Sequence, residues 1–225
     1  YEDGKLSNGN NVRLSRDNFT ATGLRGRLGY EITPGIRPFA EVTVDTRRRD
    51  EPVDGSGFAR NSTGVTARLG STFEVSRILT GEISGGYAQR TYADARLPSL
   101  AGPVLDASLV WTATPLTTVT FRAQTLLNET NLAGAAGSIS RIGSVQIDHA
   151  LLRNLNLGAT ALWQNNKYQG ISLTENILSG TFRADYSLTR SVVIRGSYTH
   201  TRLQSSTAGA DYTANVFLLG LRLQR

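Results

Sequence analysis

Apolar residues alternate with polar or small residues along most of the chain. Val65, Ala67 and Leu69 follow this spacing, and the same spacing runs from Leu155 to Trp163. Successive side chains of a β-strand point to opposite faces, so sustained alternation predicts long strands that each have one apolar face. Comparable helical periodicity is absent. The pattern predicts eleven strands, at residues 18–33, 36–48, 63–76, 78–92, 104–114, 117–128, 139–151, 155–167, 173–188, 192–204 and 211–224.

The connections between these strands alternate between short and long. Five short turns, spaced 43, 38, 38 and 37 residues apart, are centred near Pro34, Arg77, Pro115, Arg153 and Arg190. The other strand ends carry longer segments rich in Gly, Ser, Asp, Asn and Pro, at 49–62, 93–103, 129–138, 168–172 and 205–210. This predicts an antiparallel up-and-down meander, and the asymmetry is typical of outer-membrane barrels. A repeat of this length also occurs in β-propellers, whose blades hold four short strands instead of two long ones.

The start of the chain differs from the rest. Residues 1–17 are rich in Gly and Asn and do not alternate, so they are interpreted as a long extracellular loop ahead of the barrel strands at 18–225. An up-and-down barrel closes with an even number of strands, and the intact barrel is expected to have about 12–16. We therefore expect the missing strands to come from upstream sequence or from another chain.

Composition excludes several protein classes and helps to orient the two faces. With 39% apolar residues and no Cys, the chain has neither the apolar segments of a helical membrane bundle nor a disulfide or thiolate scaffold. Of 24 basic residues only Lys5 and Lys167 are lysine, unlike a surface exposed to water. A barrel of at least eleven strands is too wide for side chains to fill. The apolar face is therefore predicted to contact lipid and the polar face to line the interior.

Aromatic residues recur at two heights along the strands. The row nearer the short turns comprises Tyr30, Phe73, Trp111 and Tyr186, and the row nearer the long loops comprises Tyr87, Trp163 and Tyr198. The rows are roughly 20 Å apart at the usual rise of a strand. Aromatic rings favour the headgroup layer of a membrane, so these rows predict two interfacial girdles. The alternative is that they are ordinary aromatic residues at strand ends.

Alternation also assigns charged residues to the interior. An acidic tier nearer the short turns comprises Glu31, Glu74, Glu82, Asp148 and Asp185, and an arginine tier nearer the middle of the wall comprises Arg25, Arg27, Arg68, Arg122 and Arg183; Arg195 also faces inward. The tiers are interpreted either as a ring that selects ions or as a lattice of salt bridges that stiffens the wall. Both interpretations stay open from sequence.

One basic cluster lies outside this pattern. Arg47, Arg48 and Arg49 precede Asp50 and Glu51 at the long-loop rim. Anionic lipopolysaccharide or polysaccharide is the natural neighbour there, although a solvated loop is equally compatible, and we expect these arginines to matter less for ion passage than the inward ones. The remaining arginines are dispersed singly without stacking aromatics, so nucleic acid is not expected as a partner.

Candidate catalytic chemistry is sparse. Asp148 and His149 are adjacent on a predicted strand, so their side chains point to opposite faces and cannot form an acid–base pair. The other histidine, His200, has no serine or carboxylate at a matching height. The sequence also lacks metal-ligand spacing, a phosphate-binding loop and a nucleophile elbow. We therefore expect neither an enzyme nor a cofactor.

Six segments that follow one another along the chain carry a resemblance. They are residues 28–35 (Leu-Gly-Tyr-Glu-Ile-Thr-Pro-Gly), 47–50 (Arg-Arg-Arg-Asp), 79–82 (Leu-Thr-Gly-Glu), 114–120, 148–155 and 215–223. In this order they resemble the putative β-barrel porin 2 family of Gram-negative outer membranes, essentially over the whole chain. Members of that family carry additional sequence ahead of the matched part, and many such barrels end in an aromatic residue where this chain has Arg225.

The resemblance implies an integral barrel of the Gram-negative outer membrane. We expect a porin-like channel for small hydrophilic or anionic solutes or for exported saccharide, surrounded by membrane lipid and lipopolysaccharide. The alternative is a non-conducting barrel that anchors an envelope, surface-appendage or polysaccharide-export complex through its long loops. A water-filled interior would favour the channel, whereas a plug or a partner chain would favour the anchor.

Overall fold

A computed structural model of the chain describes residues 4–5, 11–12, 18–51, 53–76 and 78–223. The strands in these ranges are β1 (Gly4–Lys5), β2 (Asn11–Val12), β3 (Phe19–Gly29), β4 (Ile36–Arg49), β5 (Ser62–Ser76), β6 (Leu79–Tyr92), β7 (Leu100–Thr114), β8 (Thr117–Glu129), β9 (Gly137–Leu152), β10 (Leu155–Gln169), β11 (Thr174–Ser187), β12 (Val192–Ser205) and β13 (Tyr212–Leu223). Across the described ranges there is no helix with the length and hydrophobicity needed to cross a membrane.

Strands β3 to β13 form one sheet in which every strand pairs antiparallel with its neighbours in sequence. The predicted eleven-stranded up-and-down meander is therefore confirmed. Strands β1 and β2 pair only with each other, with Gly4 opposite Val12. The rest of residues 1–17, interpreted from sequence as an extracellular loop, lies outside the described residues.

The sheet has two edges, β3 and β13. No ladder joins them in the part of the chain that the structure describes, so the sheet is open. An edge strand in lipid would leave a row of backbone N–H and C=O groups without partners, which costs several kcal/mol per group. That further strands complete the barrel stays a prediction.

The first short connection is longer than predicted, because β3 ends at Gly29 and not near residue 33, while β4 begins at Ile36 as expected. Pro38 on the partner strand has no N–H to donate. From Pro38 toward the turn, the ladder gives way to single backbone hydrogen bonds, such as the one that Tyr30 N donates to the Pro38 carbonyl oxygen at 3.1 Å. Gly35 closes the turn with a φ of 82°. A Cβ there would lie 2.3 Å from the backbone oxygen of Glu74, so the turn requires glycine.

Strand β7 begins at Leu100, four residues before the predicted start at 104. Gly102 and Pro103 had indicated a loop, because proline interrupts strand ladders. In the structure, Pro103 lies opposite Tyr87 of β6, while the ladder to β8 begins only at Asp106. Proline is tolerated in this segment because the segment pairs on one side only.

The curvature of the sheet identifies its inner face. Arg27 in β3 and Glu82 in β6 are separated by three strand spacings, or roughly 14 Å in a flat sheet. Their side chains nevertheless form an ion pair at 2.5 Å. The sheet therefore curves toward the face that carries these charges, and this concave face is the interior, as alternation predicted.

The convex face is apolar. Its large side chains include several that are more than half exposed, namely Leu24, Leu28, Leu69, Leu178, Phe217 and Leu219. Monomeric soluble proteins rarely expose contiguous apolar surfaces of this extent, so this face suits lipid. The ladders also place the seven aromatic residues of both predicted girdles on the convex face. Their role as interfacial girdles stays a prediction.

Candidate functional site

The wall of the sheet divides near its long-loop end. The ladder between β7 and β8 extends only to the pair Asp106 and Gln124. Beyond it, β7 continues along β6 as far as Leu100, whereas β8 continues along β9 as far as Glu129. The separated ends of β8 and β9 and their connection, residues 125–140, are called the inner hairpin below.

Packing distances show that the inner hairpin lies inside the wall. A Cβ on Gly102 of β7 would be 3.4 Å from Cδ1 of Ile139, and a Cβ on Gly137 would be 2.9 Å from a δ-carbon of Leu100. Gly102 and Leu100 share the inward alternation of Asp106 along β7. The hairpin therefore covers the concave face of β7 and narrows the interior at this height.

A small apolar cluster sits between the inner hairpin and the wall. Its buried members are Leu97, Leu100, Val104, Ala135, Ala136 and Ile139. This corrects the expectation of a uniformly polar interior, since Leu100 is fully buried on the inner face. Full burial of a Leu, Val or Ile side chain stabilises by about 1.5–3 kcal/mol, so the cluster holds the hairpin down.

A buried ion pair fastens the tip of the inner hairpin. Arg60, only 1% exposed, forms an ion pair with Asp54 in the connection between β4 and β5. Its guanidinium also donates to the backbone oxygens of Ala135 at 2.8 Å and Leu132 at 3.1 Å. Because a buried guanidinium is stable only when its donors find partners, these contacts tie the connection at 50–61 to the hairpin. This arrangement is called the Arg60 clamp.

The carboxylate of Asp54 is held in its ionised form. Burial alone would raise the pKa of Asp54. Hydrogen bonds from Arg60 and from the backbone N–H groups of Phe58, at 3.0 Å, and Ser56, at 2.8 Å, outweigh burial, so its pKa lies below the usual value. The clamp is therefore an ion pair at neutral pH.

A second set of polar contacts joins Glu129, the last residue of β8, to strands β4, β5 and β6. Glu129 accepts a hydrogen bond from the Ser62 hydroxyl at 2.5 Å and lies 3.6 Å from Arg90 and 3.5 Å from Arg47. Arg90 in turn pairs with Asp45 at 2.5 Å. These side chains belong to β4, β5, β6 and β8, so they bridge the interior.

The Arg47–Arg49 cluster belongs to this bridge, which corrects its placement in a loop. All three residues lie in β4. Arg49 Nη2 is 3.9 Å from Glu129 and donates to Asn131 Oδ1 at 2.9 Å, while Arg48 takes the outward position between its neighbours. With Arg90 the bridge brings three inward arginines to the carboxylates of Asp45 and Glu129.

Nearer the short turns, most of the predicted inward charges form ion pairs. The pairs are Arg25–Glu41 at 2.5 Å, Arg27–Glu41 at 3.0 Å, Arg27–Glu82 at 2.5 Å, Arg37–Glu31 at 3.2 Å, Arg68–Asp106 at 3.8 Å, Arg183–Asp148 at 2.9 Å, Arg183–Asp185 at 3.3 Å and Arg195–Asp185 at 2.5 Å. Arg27–Glu82, Arg183–Asp148 and Arg183–Asp185 join the arginine tier to the acidic tier, and the other pairs use inward residues outside the two tiers. This geometry favours a stiffening lattice at these positions.

Three of the predicted inward charges are not paired in this way. Arg122 in β8, Glu74 in β5 and Arg222 in β13, which alternation also assigns to the interior, form no ion pair with any described residue. Arg122 is exposed and faces Ser108 and Ser144 on the neighbouring strands. It therefore presents a positive charge to the interior without a carboxylate beside it.

The inward side of the hairpin is polar. Asn128 donates to Ser140 Oγ at 2.9 Å, and Ser140 donates to Asn166 Oδ1 at 2.7 Å. Asn166 and the Tyr168 hydroxyl each donate to Glu175, both at 3.3 Å. Ser140 and Asn166 are buried, whereas Asn128 is exposed and Tyr168 and Glu175 are half-buried. The remaining passage is therefore bordered by amide, hydroxyl and carboxylate groups, which suit water and hydrophilic solutes.

The two histidines lie on the outer face, away from this lining. His149 Nδ1 is 2.9 Å from the Thr117 hydroxyl, and His200 Nδ1 is 2.8 Å from Asn215 Oδ1. Within the described ranges, no three His, Cys, Asp or Glu side chains are grouped as a metal would need. The geometry offers hydrogen-bonding and charge, and it assembles no nucleophile with a base.

Sequence comparison relates the whole chain to one protein family. A family model described as putative β-barrel porin 2 matches residues 1–225. The chain belongs to the putative β-barrel porin 2 family. Membership supports a porin-like role in an outer membrane and indicates a channel rather than an enzyme. Among curated proteins, no sequence matches this porin-family chain.

Solved structures share its fold at low identity. The FrpB iron transporter from Neisseria meningitidis (F3-3 variant) is 7% identical, with 90% of this chain and 40% of that chain covered and a TM-score of 0.59. A chain of the FpvAI–pyocin S2 complex is 8% identical, with 90% and 36% covered and a TM-score of 0.56. The NanC porin is 12% identical, with 92% and 99% covered and a TM-score of 0.42. This family member thus spans 40% or less of the first two proteins.

Sequence reasoning missed the residues that hold the inner hairpin of this porin-family chain, chiefly Asp54, Arg60 and Glu129. Asp54-Gly55-Ser56-Gly57 does signal a tight turn, because Asp side chains cap nearby backbone N–H groups and glycine relaxes backbone limits. Nothing in that local signal indicates that Arg60 contacts a segment more than 70 residues later.

Proposed function

We propose that this chain forms the wall and the constriction of an outer-membrane channel of Gram-negative bacteria for small hydrophilic solutes. The inner hairpin sets the width of the passage. The observation that carries the proposal is the attachment of residues 125–140 to the concave face by the apolar cluster and the Arg60 clamp, with polar side chains such as Asn128 and Glu175 bordering the remaining space.

The charge of the interior supports anionic solutes, including acidic saccharides. Most inward arginines are neutralised by carboxylates, but exposed Arg122 has no ion-pair partner among the described residues. Guanidinium groups bind carboxylates and phosphates in a bidentate geometry. Rings of such charges are common selectivity elements in pores.

Single-channel conductance in planar bilayers tests the role of the hairpin, using the full-length protein. The double variant Asp54→Asn with Arg60→Gln removes the clamp without leaving one buried charge unpaired. We expect a larger and more variable conductance, because the tip of the hairpin is released. The matched control is Glu31→Gln with Arg37→Gln, which removes an exposed ion pair of 3.2 Å near the first short turn, away from the hairpin and the clamp.

Two outcomes would contradict the proposal. Equal conductance in the clamp variant and the wild type would mean that the hairpin does not define the passage. Correctly inserted wild-type protein that carries no current, together with a silent clamp variant, would support a non-conducting barrel that anchors a surface complex. Insertion is checked independently by heat-modifiable migration of the folded barrel on gels.

Solute class is tested by swelling of proteoliposomes. We expect an acidic oligosaccharide to enter faster than a neutral oligosaccharide of the same size, and the difference to shrink at high salt because screening weakens electrostatic attraction. A neutral solute that enters at the same rate at all salt concentrations would argue against selection for anions.

A further inference from the structure

The outer face carries four ionised side chains outside the inner hairpin, and all are basic. By strand alternation they are Arg48, Arg141, Lys167 and Arg202, each in the half of its strand nearer the long loops. All four are exposed, and none forms an ion pair with a described residue. This contrasts with the concave face, where most arginines are paired with carboxylates.

Three of these cations surround one patch. Arg141 of β9 lies opposite Asn165 of β10, and Lys167 is two residues further along β10. Such diagonal neighbours have Cβ atoms about 7–8 Å apart. Arg202 of β12 is opposite Leu178 of β11, and Leu178 is opposite Trp163 of β10. The cations therefore flank Trp163.

An open apolar groove of about 460 Å³ lies directly below this patch on the convex face. Its floor consists of the small residues Ala123, Gly143 and Ala161, and its walls include Phe121, Trp163 and Leu178. Gly143 is two residues from Arg141 along β9, a rise of about 7 Å. A floor of small side chains between large ones suits a hydrocarbon chain.

We propose that the groove and the three cations form a binding site for lipopolysaccharide of the outer leaflet. An acyl chain of its lipid A lies along Ala123, Gly143 and Ala161. A lipid A phosphate contacts Arg141, Lys167 and Arg202. The proposal requires that the convex face meets lipid, but it does not depend on conduction.

Charge and height both support this occupant. Phosphate is bound well by guanidinium and ammonium groups, and these cations have no described carboxylate competing for them. Arg202 lies level with the Trp163 end of the groove, while Arg141 and Lys167 lie two and four residues nearer the long loops. An acyl chain in the groove would therefore have its phosphate on the long-loop side, next to the interfacial Trp163 ring. Near the short turns, the described strands place no ionised side chain on the outer face, so the site is confined to the long-loop leaflet.

Binding of bisphosphorylated lipid A to the full-length protein in detergent tests the site. The readout is Trp163 fluorescence in a Trp111→Phe background, since Trp163 borders the groove. The double variant Arg141→Gln with Lys167→Gln should bind about tenfold or more weakly, from about 1 kcal/mol per cation near an anionic surface. The control Arg48→Gln with Arg153→Gln removes the same charge elsewhere and should bind as the parent does.

Two further arms separate phosphate from acyl chain. Dephosphorylated lipid A should bind the parent and the Arg141→Gln, Lys167→Gln variant equally. Ala161→Leu, which fills the floor of the groove, should weaken both forms of the lipid. The proposal is overturned if the Arg141→Gln, Lys167→Gln variant binds like the parent, or if the control pair loses as much affinity. Retained β-sheet circular dichroism shows that each variant is folded.

Discussion

Arg60 Nη1 donates a hydrogen bond of 2.8 Å to the backbone oxygen of Ala135, 75 residues later in the chain. This contact connects the segment between β4 and β5 to the tip of the hairpin formed by β8 and β9. The ladders of an up-and-down sheet join only strands that follow one another in sequence. This bond, like the Arg27–Glu82 ion pair and the contacts of Glu129, therefore links parts of the wall that no ladder joins.

The clamp should respond to acid and not to mild changes of pH. Asp54 has a pKa below its usual value of about 3.9. A carboxyl with a depressed folded-state pKa contributes stability above the unfolded pKa, and this contribution is lost as pH falls through the folded pKa. Single-channel conductance should therefore stay constant from pH 7 to about 4.5 and change only below about 4.

In that experiment, Asp54→Asn serves as the reference, because its side chain does not titrate. Its conductance should already differ from wild type at pH 7 and should lack the clamp's acid transition. A wild-type transition centred near pH 6 would contradict the assignment, since no described contact of Asp54 titrates there; its charged neighbours are Arg60 and Arg96.

Gly137 should be sensitive to enlargement. A Cβ at this position would lie 2.4 Å from the backbone oxygen of Asn128, so Gly137→Ala must shift the hairpin. Overpacking of this kind costs about 1–3 kcal/mol. Gly180→Ala is the control, because a Cβ on Gly180 has nothing within 4 Å. Thermal unfolding in detergent should show a lower midpoint for the first variant only.

Arg122 should affect ion selectivity without affecting stability. It forms no described ion pair, so Arg122→Gln removes one interior charge and breaks no contact of the lattice. Reversal potentials in a salt gradient should shift toward cations, and the shift should fade at high salt. Arg27→Gln should produce a similar shift but also lower the unfolding midpoint, because buried Glu41 loses one partner.

Arg47 and Arg49 lie near Glu129, and their effect on ion selectivity can be measured by the same reversal potentials as that of Arg122. Sequence reasoning expected these residues to matter less for ion passage than Arg27, Arg122 and Arg183. Because Arg47 and Arg49 contact Glu129 of the inner hairpin, we now expect an Arg47→Gln, Arg49→Gln variant to shift the reversal potential. Arg48→Gln is the control, because Arg48 points outward. Selectivity that is unchanged in an Arg47→Gln, Arg49→Gln variant would count against a constriction at this height.

The aromatic rows can be located by fluorescence quenching. Trp111 lies opposite the first residue of β6, near the short turns, and Trp163 lies on the outer face nearer the long loops. Lipid-bound quenchers placed at a shallow depth should therefore quench both more than deep quenchers do. Single Trp→Phe variants assign the signal to each ring. Stronger quenching from the membrane centre would refute the girdle interpretation.

Strand number, strand order and the assignment of faces follow from local information. Alternation runs from Val145 to His149 in β9 and from Leu155 to Ala161 in β10, and parity there correctly puts Asp148 and Trp163 on opposite faces. Each decision needs only the periodicity of one strand and the length of the next connection, which is why a single sequence is sufficient for the meander.

The inner hairpin could not be predicted in the same way. Alternation continues through Ile139 and Glu129, and by parity both belong to the lipid-facing side. Their side chains nevertheless contact the wall, because the ladder between β7 and β8 ends at Asp106 and the outer side of the hairpin turns against the inner side of β7. That change depends on contacts between segments far apart in sequence, for which strand periodicity carries no signal.

The Arg60 clamp also constrains the order in which the protein can assemble. Every ladder from β3 to β13 joins consecutive strands, so the sheet can grow one strand at a time with little loss of chain entropy. The clamp joins residues 72 and 75 positions apart, and it can close only when β5, β6, β7 and β8 are already in place. The wall is therefore built around a wide interior, and narrowing is a late folding event.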